Sequence, residues 1–150
     1  MADTGIVIRE SKIEDLDALE DLMKHLTETF HQTFFKDRWR LDMKYKYDVG
    51  GIFVAEDTNE SGKIVGMILI DVGRDWRSDK VVGKIMNFIV DLKYQGKGIG
   101  SQLLEAAIEF SAGKKATIIQ VNARRELKNT LQLFKKFGFE EIYLVMEREI

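Results

Sequence analysis

The chain predicts a mixed α/β (α+β) fold, one domain spanning residues 1–150 around a central mixed sheet. Three observations carry this. The apolar run Ile85-Met86-Asn87-Phe88-Ile89-Val90 leads through Gly96, Gly98 and Gly100 into a segment with Leu103, Leu104, Ala107 and Ile108 at helical spacing. That is strand, glycine loop, helix. A further β-rich run follows at 116–121, and a strand-helix-strand unit crosses over right-handed, which makes its two strands parallel. Earlier, runs at 52–56 and 64–70 flank a turn with Ser61-Gly62 at its tip, the signature of an antiparallel hairpin. Parallel and antiparallel pairs together make a mixed sheet. A length of 150 residues with 45% apolar content supports one domain with a proper core.

In order, Ile6-Val7-Ile8-Arg9 reads as a first strand. Ser11 with Glu14 makes a capping box, and Asp15 adds negative charge to the first turn of the helix. Leu16, Leu19, Leu22, Met23 and Leu26 recur at three and four, one face of an amphipathic helix. Phe30, Phe34, Phe35 and Trp39 carry apolar content through a second, less regular helical stretch towards Tyr47, mostly core, with one or two rings free to wall a pocket. Gly50-Gly51 breaks the chain before the hairpin. Residues 71–80, with Trp76, read as a polar loop. Gly113 closes the central helix and Lys114-Lys115 place cations at the negative end of its dipole. A last helix is expected over 125–137, with Leu127, Leu131 and Phe134 on one side and Gly138 as its C-terminal cap. Residues 142–146 read as a closing strand. There are no internal repeats, low-complexity segments or linkers.

Composition narrows the function classes. The net charge of −2 favours neither nucleic acid nor a membrane surface. Its distribution is uneven: residues 10–28 hold seven acids and two bases, residues 93–136 nine bases and three acids. Solvated helix faces account for much of this, but a basic flank is the right sign for an anionic ligand. The chain has no cysteine, which excludes disulfides, a thiol nucleophile and thiolate metal sites. Two histidines, His25 and His31, are too few for a histidine metal cluster, so no metal is expected. No run reaches membrane-spanning length and no signal peptide opens the chain, so the expectation is a cytoplasmic enzyme or binding module.

The glycine loop is where chemistry concentrates. Glycines let successive backbone N–H groups turn inward as a nest, and the following helix adds its unpaired first-turn N–H groups and the positive end of its dipole. A phosphorylated ligand suits that arrangement. No GxxxxGK[ST] run exists, and GxGxxG fails because Ser101 and Leu103 stand where the third glycine is needed. What fits is Gln95-Gly96-Lys97-Gly98-Ile99-Gly100. This resembles the (R/Q)xxGx(G/A) loop of the GNAT N-acetyltransferase superfamily. The preceding Val90-Asp91-Leu92-Lys93-Tyr94-Gln95-Gly96 is similar to that family's Val-x-Pro-x-Tyr-(R/Q)-Gly, with Leu92 in the proline position. Asn129-Thr130-Leu131-Gln132-Leu133-Phe134-Lys135-Lys136-Phe137-Gly138-Phe139 resembles its later motif, with Phe134 where tyrosine is usual. The element order matches over nearly the whole chain.

The resemblance implies a sheet with a splayed parallel strand pair and helices on both faces. It implies acetyl transfer from acetyl-CoA, as donor co-substrate, to a primary amine of a peptide, protein or small molecule. Gln95, Gly96, Lys97, Gly98, Ile99, Gly100 and Ser101 would hold the pyrophosphate. The backbone of Phe88, Ile89 and Val90 would pair with pantetheine, and the N–H of Val90 would polarise the thioester carbonyl. Asn129 and Phe134 complete the cofactor side, although Asn129 also suits a helix cap. The family's carboxylate base has no counterpart, since Met86 and Asn87 occupy those strand positions. Asn87 and Asn122 are polar candidates for a relay water, and Tyr143 for a proton source. Asp91 adjoins the loop but is not the base. The shortness of the chain after Phe139 leaves the acceptor side open or completed by a second subunit, hence a possible homodimer. The amine acceptor stays unidentified, and an acetyl-CoA-binding regulatory module with little turnover is the alternative.

Overall fold

The computed structural model describes residues 5–150. Strands β1 (Ile6–Glu10), β2 (Ile52–Asp57), β3 (Lys63–Arg74), β4 (Val81–Val90) and β5 (Ile118–Val121) form one sheet in that spatial order. β1 to β4 are antiparallel neighbours, whereas β4 and β5 run parallel. Helices α1 (Leu16–Thr29) and α2 (Lys36–Val49) cover one face; α3 (Ile99–Gly113) and α4 (Lys128–Lys136) cover the other. The mixed sheet between two helical layers is therefore as the sequence implies.

β3 shows why the middle is stable. All of Ile64 to Ile70 is buried, because a central strand covered on both faces needs apolar side chains at every position. Met67 and Leu69 meet Leu19, Leu22 and Met43 beneath α1 and α2. Ile68 and Ile70 meet Leu103, Leu104 and Ala107 of α3. The buried Lys46 of α2 reaches Asp71 at the far end of β3 and ties the helical layer to the sheet.

Several expectations change at element ends. The hairpin of β3 and β4 continues to Arg74 and Val81, so the polar loop shrinks to residues 75–80. Phe30, Phe34 and Phe35 precede α2 rather than extend it; Trp39 is the ring that packs on the core. At the entry to α1, Asp15 and not Glu14 makes the return bond: its Oδ2 accepts from Lys12 N at 2.8 Å and from Ser11 Oγ at 3.3 Å. α4 begins at Lys128, not Arg125, with Leu127 at the capping position. No closing strand forms over 142–146. These residues are exposed and pair with no strand, since β5 remains the sheet edge.

Candidate active site

The site begins with a parity change in β4. Ile85 packs with α3 on one face and Ile89 with α1 and α2 on the other. Four residues of regular strand would return to the same face, so one extra residue must intervene. The register confirms it: Asn87 lies opposite Leu69 and Ile85 opposite Ile70, leaving Met86 as a bulge. The same point ends the parallel ladder, whose last pair is Ile85 with Val121. Beyond it β4 continues alone on that side through Val90, and the two strands part.

The backbone polarity of the free stretch follows from one bond. Asp91 N donates to Val65 O at 2.8 Å. Hydrogen-bonding residues alternate along an antiparallel pair, so Ile89 faces β3 while Phe88 and Val90 turn their N–H and C=O groups to the gap. Ile89 thus contributes side-chain packing, its own backbone being taken up by Met67 across the ladder. The carbonyl of Val90 accepts from Gln95 Nε2 at 3.3 Å, which leaves the Val90 N–H facing the opening.

Past Val90 the chain makes a single 3₁₀ turn at Leu92–Tyr94, capped by Asp91, whose Oδ1 accepts from Lys93 N at 2.9 Å. That capping role accounts for Asp91. Gly96 and Gly98 both take left-handed backbone angles, φ +78° and +79°, and a Cβ at either would project into open space. Gly98 O accepts the first helical bond, from Gln102 N. The main-chain N–H groups of residues 96–101 have no acceptor among the described residues. A row of unsatisfied donors at a helix N-terminus, over a face cleared by two glycines, fits a pyrophosphate. Gly100 instead packs inward, where a Cβ would lie 3.3 Å from Leu133 and 3.4 Å from Phe88.

A strut that the sequence reading missed steadies this loop. Tyr94 Oη donates to Asp57 Oδ2 at 2.7 Å, across 37 residues, and Asp57 Oδ1 accepts from Asn59 N. The bond to Asp57, aided by desolvation, pushes the Tyr94 phenol up to about 12. Lys97 Nζ lies 5.0 Å from the centre of the Tyr94 ring and Lys63 Nζ 5.7 Å from it, which holds two ammonium groups beside the loop. Tyr94 stands in the glycine-loop motif itself, but nothing local marks Asp57 as its partner.

The remaining site residues separate into three groups. Asn87 and Asn122 stand at the two lips of the gap: Asn122 directly follows Val121 of the last parallel pair, and Asn87 follows its partner Ile85 after the bulged Met86. Asn87 Nδ2 donates to Met86 O at 2.8 Å, which leaves its Oδ1 available as an acceptor. Phe134 is buried against Phe88 and Phe139, with ring centres 5.8 and 5.3 Å away. Asn129 is exposed in the first turn of α4, two positions past the cap at Leu127, and Tyr143 lies in the exposed segment after Phe139. Arg124 packs its guanidinium 4.1 Å from the ring centre of Phe30, joining the α1–α2 linker to the loop after β5. A cleft of about 660 Å³ runs between α1 and the end of β4, with Glu14, Asp21, Glu28, Lys24, Lys63 and Asp91 on its walls. Among the described residues no group of side chains could hold a metal ion, and no helix is long and apolar enough to cross a membrane.

Parted parallel strands, a bulge at the point of parting and a donor-lined loop ahead of the next helix together make a site for an extended ligand that ends in a pyrophosphate. Residues 17–139 match the acetyltransferase (GNAT) family, and the chain belongs to it. It is 30% identical over 141 residues to an uncharacterized N-acetyltransferase of Methanocaldococcus jannaschii, covering 89% of this chain and 60% of that relative. It is 28% identical over 82 residues to the spermine/spermidine N(1)-acetyltransferase of Bacillus subtilis, covering 53% of this chain and 54% of the relative. The chain therefore spans little more than half the length of these two proteins. An aminoglycoside acetyltransferase from an uncultured soil metagenomic sample shares the fold, with a TM-score of 0.78 at 23% identity over 99% of this chain and 98% of that one.

Proposed function

We propose that the chain is an acetyl-CoA-dependent N-acetyltransferase that moves an acetyl group directly to a primary amine of a peptide, protein or small molecule, in the cytoplasm. The observation that carries this reading is the unsatisfied N–H row of residues 96–101 at the end of a strand whose Phe88 and Val90 backbones face an open gap. Acetyl-CoA presents matching groups in that order: a pyrophosphate for the loop, amides for Phe88 and Val90, and a thioester beyond. The Val90 N–H would donate to the thioester oxygen, where negative charge develops as the amine nitrogen bonds to the carbonyl carbon. The C–S bond then breaks, CoA leaves as thiolate, and the nitrogen gives up a proton. Asn87 and Asn122 would hold the water that carries it away. Tyr143 can return a proton to the thiolate only when its segment is docked against the site.

The acids on the cleft beside Asp91 suit a cationic acceptor. The spermine/spermidine acetyltransferase of B. subtilis, by its name, acts on such amines, which supports the same substrate class here. The deciding experiment follows thiol release from acetyl-CoA with a panel of a polyamine, an amino sugar and a lysine peptide. Release above the hydrolysis background with at least one amine is expected. Bound acetyl-CoA with no release from any of them would overturn the reading.

A further inference from the structure

Helix α2 buries one side and leaves the other bare. Trp39, Met43 and Tyr47 pack on the core beneath it, and Lys46 is buried as well. The opposite side carries Leu41 and Tyr45, 65% and 68% exposed, and Phe35 in the capping position is 70% exposed. Positions four apart on a helix lie one above the other. Leu41 and Tyr45 therefore make one apolar stripe, with Phe35 at its start. An exposed apolar patch rimmed by polar groups marks an interaction surface.

The charges that rim this stripe are their own complement. At about 100° per residue, Arg38 and Asp42 lie on one border, and Asp37 and Lys44 on the other. Each border thus holds one charge before Leu41 and the opposite charge after it. A second α2 laid antiparallel, with Leu41 over Leu41, sets Arg38 against Asp42 of the other copy on one border. On the other border it sets Asp37 against Lys44, and Tyr45 comes over Phe35. A two-fold axis makes every one of these contacts twice, and antiparallel packing also opposes the two helix dipoles. In the single chain Arg38 and Asp42 are exposed and 3.5 Å apart. Among the described residues neither Asp37 nor Lys44 has an ion-pair partner.

We propose that the outer side of α2 docks on the same side of α2 in a second copy of this chain, antiparallel, about a two-fold axis at Leu41. The surface is used up by one partner, so the contact closes at two copies. One helix pair is smaller than the roughly 1,600 Å² of a standard interface, so a dissociation constant of about 10–100 µM is expected. This holds whether or not the chain transfers acetyl groups.

Sedimentation equilibrium of the whole chain, up to about 500 µM, tests it. Reversible self-association is expected. Leu41→Glu should raise its dissociation constant at least about tenfold while circular dichroism stays native, because Leu41 is exposed and outside the core. A second arm reads the register. Lys44→Asp and Asp37→Lys should each weaken self-association, since each sets like charges opposite one another twice. An equimolar mixture of these two variants should associate as tightly as the parent, because the mixed pair regains both ion pairs. Three results would each overturn the proposal. One is no reversible association at about 500 µM. Another is association indifferent to Leu41→Glu. The third is a mixture no tighter than either variant alone, which means that α2 does not meet a second α2 in this register.

Discussion

Gly98 sits where backbone conformation and ligand space meet. Its φ of +79° lies in the left-handed region, and a Cβ there would meet no protein atom within 4 Å. Gly98→Val therefore adds a strain of roughly 1–2 kcal/mol and puts methyl groups over the N–H row, with no core contact disturbed. The variant should remain folded and lose at least about tenfold in acetyl-CoA affinity by calorimetry; unchanged affinity would remove the loop from cofactor binding. Phe134 is the opposite case. It is 4% exposed and wedged between Phe88 and Phe139. Phe134→Tyr places a hydroxyl in this aromatic cluster, and an unpaired buried hydroxyl costs about 1–3 kcal/mol. A positioned acid typically contributes roughly 10²–10⁴-fold, but here the surroundings are built for a ring. The expected result is a lower urea midpoint and less than about a tenfold gain in kcat. A gain of two orders of magnitude would instead show a site that lacks only its acid.

At the scale of elements, the Tyr94–Asp57 bond links the loop before α3 to the end of β2. Tyr94→Phe removes the donor and leaves the buried Asp57 Oδ2 without it. Acetyl-CoA affinity should fall severalfold while the glycines stay intact. The bond also predicts a pH signature. The folded phenol titrates near 12 instead of its usual 10, so the native state holds this proton more tightly. Its contribution to stability is complete below pH 10 and is lost as pH rises from 10 to 12. Melting temperatures across that window should drop less steeply in Tyr94→Phe than in the parent; identical slopes would mean that the bond contributes nothing. This contact also marks the limit of the sequence. Long periodic or unbroken apolar runs, such as those of α1, β3 and β4, disclose their element because the signal is repeated in every residue. Ends depend on partners. β3 runs past Ile70 into polar residues because β4 is there to pair with them. Ile142 to Met146 has every local mark of a strand, yet no neighbouring strand pairs with it within the single chain. Asn129 misses the cap of α4 because the helix starts at Lys128, two residues earlier than a cap at 129 would need. The bulge at Met86 is likewise not legible in the sequence, since its apolar run reads as regular strand.

Over the whole molecule, topology was legible because handedness and crossover length leave few choices, and the charge asymmetry was legible because it needs no coordinates. Their combination is physically informative. The acids of residues 10–28 belong to α1 and its approach, on one side of the sheet, whereas α3 and α4 on the other side carry or adjoin most of the bases of residues 93–136. A chain of net charge −2 thus presents a basic flank to the gap between β4 and β5, with Lys97 beside the unsatisfied N–H row. Acetyl-CoA is a polyanion, so its attraction to this flank should weaken with salt, the screening length falling from about 30 Å at 0.01 M to about 3 Å at 1 M. The N–H donors act at contact distance and should feel this far less. Affinity measured across that range is therefore expected to drop severalfold and then level off, the plateau reporting the loop and the slope reporting the cations. Lys97→Met should flatten the slope and lower the low-salt affinity while leaving the plateau nearly in place. If the parent's affinity is flat with salt, the basic flank has no part in holding the cofactor and the loop backbone acts alone. If Lys97→Met lowers the plateau as much as the low-salt value, Lys97 instead shapes the loop through its contact with Tyr94.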